Sequence, residues 1–149
     1  MGYRGTLLAA LLMSALAAYQ PLSAADAPRL ADAAQKQDKQ AVQALIREKA
    51  NVNAPQADGA TALHWAAHWD DVEMASLLIR AGANVNAKND YSATPLTLAC
   101  TNGNAAMVET LLENLANPNI AAPSGETPLM RCARTGNAAA VKALLARKA

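Results

Sequence analysis

Phenylalanine is absent from this chain, and only two tryptophans and three tyrosines stand among its 149 residues. A core without Phe has to be made from Leu, Val, Met and Ala, which requires closely approaching helices. Two histidines and two cysteines leave little material for a metal centre or a nucleophile. No serine lies at a recognisable local spacing from a histidine and a carboxylate, and no glycine-rich phosphate loop follows a strand. Charge of one sign is missing too: 13 basic side chains face 12 acidic ones. A neutral surface without basic clusters lacks the footprint of a nucleic-acid binder and has no pull toward an anionic membrane. No cofactor, metal ion or catalytic residue is therefore expected.

The longest apolar stretch is Leu7 to Ala18, twelve residues against the roughly 20 that span a bilayer. Arg4 precedes it, and Pro21 and the small residues Ser23-Ala24-Ala25 follow. Basic start, short apolar centre and small residues at the cut describe a secretory signal peptide cleaved after Ala25, with an uncleaved anchor as the alternative. The expectation is a mature chain beginning at Asp26, placed in the periplasm or outside the cell, with no membrane contact after cleavage. Removing Arg4 with this segment leaves 12 basic and 12 acidic side chains, and the remaining length suits one domain.

What is present is an echo every 33 residues. Thr61-Ala62-Leu63 returns as Thr94-Pro95-Leu96 and Thr127-Pro128-Leu129, and Asn51-Val52-Asn53 returns as Asn84-Val85-Asn86 and Asn117-Pro118-Asn119. Leu45, Leu78, Leu111 and Leu144 share one register. Such periodicity marks a stacked array in which each unit buries its apolar face against its neighbours. Each unit reads as a helix, a turn, a second helix and a loop. Thr94 and Thr127 are N-caps followed by Pro at the first helical position, and Gly103 and Gly136 end those helices. Asp71, Asn104 and Asn137 cap the second helices, so the adjacent carboxylates Asp70 and Asp71 are explained as a solvated cap. Units are expected at 26–57, 58–90, 91–123 and 124–149. The first is degraded, with the polar outer face of a terminal cap (Gln35 to Gln40). The last is incomplete, with a further repeat expected after Ala149.

Asp58-Gly59-Ala60-Thr61-Ala62-Leu63-His64-Trp65-Ala66-Ala67 and Leu77-Leu78-Ile79-Arg80-Ala81-Gly82-Ala83-Asn84-Val85-Asn86 resemble the two halves of the ankyrin repeat, over residues 28 to 149. The resemblance implies an all-α solenoid, an L-shaped stack of helix pairs with hairpin fingers, whose usual activity is protein–protein binding. It also implies that His64 hydrogen-bonds within and between the loops. The spacing of His64 and His68 matches zinc ligands, but further ligands are missing and Trp65 holds the place of the expected base. Asp70 and Gln37 replace a turn glycine, and Leu115 replaces the equivalent of Gly82, where a left-handed residue is wanted and Leu fits badly.

Cys100 and Cys132 occupy small-residue slots of successive first helices. Helix axes about 8–10 Å apart argue against a bond between them, so both are expected as free buried hydrophobes. For binding, the variable positions at the ends of the first helices are the candidates: His68 and Trp69, Thr101 and Asn102, Arg134 and Thr135. The finger residues Asp90, Tyr91, Ser124 and Glu126 extend the same surface. An exposed Trp beside Tyr and Arg has the composition of an interface anchor; the alternative is that Trp69 packs over Trp65 and the neighbouring finger. The function expected is a non-enzymatic scaffold for a protein partner. The rivals are the recognition arm of a larger enzyme or receptor, and a structural stabiliser of another envelope protein.

Overall fold

The computed structural model describes residues 28–149; the expected signal segment and its cleavage point lie outside them. Eight helices follow in pairs: α1 Arg29–Gln35 with α2 Lys39–Arg47, α3 Ala62–His68 with α4 Val72–Arg80, α5 Pro95–Asn102 with α6 Ala105–Glu113, and α7 Pro128–Arg134 with α8 Ala138–Ala146. The first helices stack α1 on α3 on α5 on α7, and the second helices stack α4 on α6 on α8. No strand occurs among the described residues. The solenoid is therefore all-α.

Local chemistry sets these boundaries. The side chains of Asp38, Asp71, Asn104 and Asn137 accept from backbone N–H groups in the first turns of α2, α4, α6 and α8, at 2.9–3.1 Å. Each such cap satisfies a donor the helix itself cannot reach. Between paired helices the chain turns through a left-handed residue at every repeat: Gln37, Asp70, Gly103 and Gly136 have φ of 57°, 58°, 72° and 73°. The turn after each second helix does the same at Lys49, Gly82, Leu115 and Lys148. Leu115 keeps the turn at φ 69° rather than rearranging it, and its side chain is 80% exposed.

Leu63, Leu78, Leu96, Met107, Leu111 and Leu144 form the middle of one continuous core, with Ala66, Ala67, Ala99 and Cys100 as its thin contacts. These small residues bring the first helices together closely enough to correct one expectation. Cys100 and Cys132 are disulfide-bonded, with Cα atoms 4.4 Å apart. The axis spacing misleads here because Cα atoms lie about 2.3 Å off each axis. Where two small slots face each other, the backbones are nearer than the axes by about twice that radius.

A ladder of asparagines ties unit to unit. Asn53 donates to the Gly82 carbonyl at 3.0 Å and accepts from Asn84 N–H at 2.7 Å. Asn86 repeats this on Leu115 and Asn117 at 3.2 and 2.7 Å, and Asn119 donates to the Lys148 carbonyl at 3.2 Å. The fingers are simpler than the expected hairpins. Each is a turn closed by two backbone bonds on one residue: Gln56 donates to Ala60 and accepts from Gly59, Asn89 donates to Ala93 and accepts from Ser92, and Ala122 donates to Glu126 and accepts from Gly125, too short for a ladder.

Candidate interaction face

The carboxyl ends of α3, α5 and α7 and the fingers that precede them lie on one side of the stack. Their order follows from the repeat: Trp65, Leu98 and Arg131 share one register, and His68, Thr101 and Arg134 share the next. Between the first two fingers this produces an open groove of about 360 Å³ walled by Asp58, Ala60, Trp65, His68, Tyr91 and Leu98. The two fingers are held in register across it by a bond from Asp90 N–H to the Asp58 carbonyl at 2.9 Å. Gly59 makes this approach possible: a Cβ there would stand 3.0 Å from the Asn89 Cα, and φ is 77°.

His64 forms the floor. It is buried; its Nδ1 accepts from Thr61 N–H at 3.1 Å, and its Nε2 lies 3.0 Å from the Ala93 carbonyl. That pattern requires the neutral tautomer with the proton on Nε2. Burial pushes its pKa below the usual 6.5, against the opposing pull of the Ala93 and Ala87 carbonyls. With both ring nitrogens engaged, His64 has no lone pair to offer a metal. Among the described residues no cluster of His, Cys, Asp and Glu is arranged to hold one.

His68 stands between the two indoles, edge-on to Trp65 at 5.6 Å and to Trp69 at 4.7 Å. The Trp65 N–H donates to Gln56 Oε1 at 2.6 Å, and Gln56 donates in turn to Asp32 Oδ1 at 2.7 Å. Trp65 is thus braced against the first unit. The Trp69 N–H donates to the Gln35 carbonyl at 3.2 Å while the residue stays 43% exposed. Tyr91, at 77%, is the most open aromatic of the three.

The remaining candidates form a polar cluster one unit further on. Glu126 accepts from Arg134 at 2.7 Å and from Arg131, and the two guanidiniums, Arg134 foremost, hold its carboxyl below the usual range. Thr101 accepts from Arg131 at 3.2 Å and donates to the Thr97 carbonyl at 2.8 Å. Thr135 donates to the Cys132 carbonyl, and Ser124 accepts from Glu126 N–H. Asn102 is exposed, but its amide is committed to the preceding unit: it donates to the Ala67 and His68 carbonyls and to Asp70, closing the end of α3.

The structure therefore brings His68 and Tyr91 together in the groove, with Asp90 at its rim, and sets Glu126 and Arg134 in a second cluster. Trp65, Leu98 and Arg131 join these clusters although only the helix ends and finger residues were singled out from sequence. Their shared register, one helical turn before His68, Thr101 and Arg134, is the signal that finds them.

No curated protein matches the chain. The family model described as ankyrin repeats (3 copies) matches residues 30–122 and 83–149, the same span over which helix pairs, capping threonines and the asparagine ladder recur. Repeats of this kind are generally protein-interaction modules. The chain belongs to the ankyrin-repeat family.

Proposed function

We propose that this protein is a non-enzymatic scaffold that acts outside the cytoplasm and holds a protein partner against the face built from the ends of α3, α5 and α7 and their fingers. The observation that carries this is the groove between the first two fingers. Its Tyr91 and His68 are exposed and its Trp65 is half-buried, while its backbone is pinned by Asp90 N–H on Asp58 and by His64 on Ala93. A pre-ordered site loses little freedom on binding. Export is favoured by the amino-terminal sequence and by the Cys100–Cys132 bond, since disulfides persist in oxidising compartments.

A photocrosslinking amino acid placed at Tyr91, and separately at the exposed Glu109 of α6, tests the site in intact cells. The expected result is a discrete covalent adduct with one protein from position 91 and none from 109. Equal labelling from both positions would remove the face, and absence of any selective adduct would favour a passive spacer. Amino-terminal sequencing of the fractionated protein tests export: a start at Asp26 outside the cytosol is expected, and Met1 or Gly2 in the cytosol contradicts it.

A further inference from the structure

The face has a charge order as well as a shape. At the groove, Asp58 lines the wall and Asp90 sits at the fingertip, and neither forms an ion pair among the described residues. Neither Lys88, the cation of that finger, nor Asp90 lines the wall itself; Asp90 lies between Asn89 and Tyr91, which do. Trp65, Tyr91, His68 and Leu98 supply the apolar surface beside these carboxylates. One unit along, two guanidiniums share the single carboxylate of Glu126, and the Arg134 side chain is 77% exposed. The face thus runs from acidic and aromatic to net basic.

From this we infer that the groove takes an extended peptide segment of a protein partner carrying a long basic side chain at one end, an acidic residue at the other and apolar residues between them. This rests on the proposed binding role of the same face. The stem of an Arg or Lys lies over Trp65 and Tyr91, where aromatic faces attract a cation, and its head reaches Asp58 and Asp90. An apolar neighbour covers Leu98. The acidic residue meets Arg134, which has guanidinium capacity beyond its bond to Glu126. Units stack about 8–10 Å apart, so one to two spacings separate the two charges. An extended chain rises about 3.3 Å per residue, which sets them about two to six positions apart.

The test is selection of a random dodecapeptide phage library on the immobilised protein, with Tyr91→Ala and the double variant Asp58→Asn/Asp90→Asn in parallel. Asn keeps the acceptor that Asp58 offers to Ala60 N–H, and circular dichroism checks that each variant is folded. The expected outcome is at least fivefold enrichment of Arg or Lys, with Asp or Glu about two to six positions away. Recovery should fall at least tenfold on Tyr91→Ala, and the basic enrichment should vanish on the double variant while apolar peptides persist. Peptides that need Tyr91 but show no basic preference, or that keep it on the double variant, would overturn the charge assignment and leave the binding face standing. Peptides recovered equally on Tyr91→Ala, or no enrichment at all, would overturn both.

Discussion

Leu115 and His64 show how much one position carries in a repeat protein. A β-carbon in the left-handed region costs about 1–2 kcal/mol, and Leu115 accepts this at φ 69° with its side chain in solvent. Replacing it by Gly, the residue that Gly82 provides one unit earlier, removes the strain without losing a contact. Leu115→Gly should raise stability by about 1 kcal/mol, read as a higher midpoint in urea unfolding at unchanged slope. An unchanged or lower midpoint would contradict the strain argument. His64 makes a pH prediction. Its folded pKa lies below the unfolded value of 6.5, so below that pH the unfolded chain binds more protons than the folded one. The contribution is complete above pH 6.5 and is lost as pH falls from there toward the folded pKa. Unfolding titrations should show the protein losing more stability between pH 7 and 5 than a folded His64→Gln variant does; parallel curves would rule this out.

At the scale of elements, the alternation of caps and small residues was legible in the sequence, because Thr-Pro pairs and Asn or Asp caps mark helix starts by local chemistry alone. The Cys100–Cys132 bond was not legible, since it depends on how closely α5 and α7 approach at two facing small slots. The loop it closes spans a sequence separation of 32, for which chain-entropy arguments give about 3–4 kcal/mol. Reduction, or Cys100→Ala with Cys132→Ala, should therefore lower stability by up to that amount. Protection from hydrogen exchange should be lost first in α7 and α8; uniform loss along the chain would contradict a local staple. Gly59 tests the fingers in the same way. Gly59→Ala puts a methyl group against Asn89 and forces a left-handed Ala, which should cost about 1–3 kcal/mol. It should also broaden the Asp90 amide resonance as the bond to Asp58 opens.

For the whole molecule, the repeat makes stability a sum of units and their interfaces, and the structure shows what fills those interfaces. The asparagine ladder was visible as an echo of Asn53, Asn86 and Asn119, but its role needed the chain's path, since each amide reaches a turn 29 residues further on. The candidate face was half legible for a related reason. Sequence spacing picks out helix ends, where His68, Thr101 and Arg134 lie. The preceding turn, with Trp65, Leu98 and Arg131, repeats in the same register, but that it shares the surface follows only once the fingers fold beside it. Whether this face binds a protein is read from the affinity of the partner captured through position 91. Tyr91→Ala should weaken it by about 2 kcal/mol, close to 30-fold, with unchanged helicity by circular dichroism. Unchanged affinity in Tyr91→Ala and in Trp69→Ala, both folded, would mean that the partner binds elsewhere.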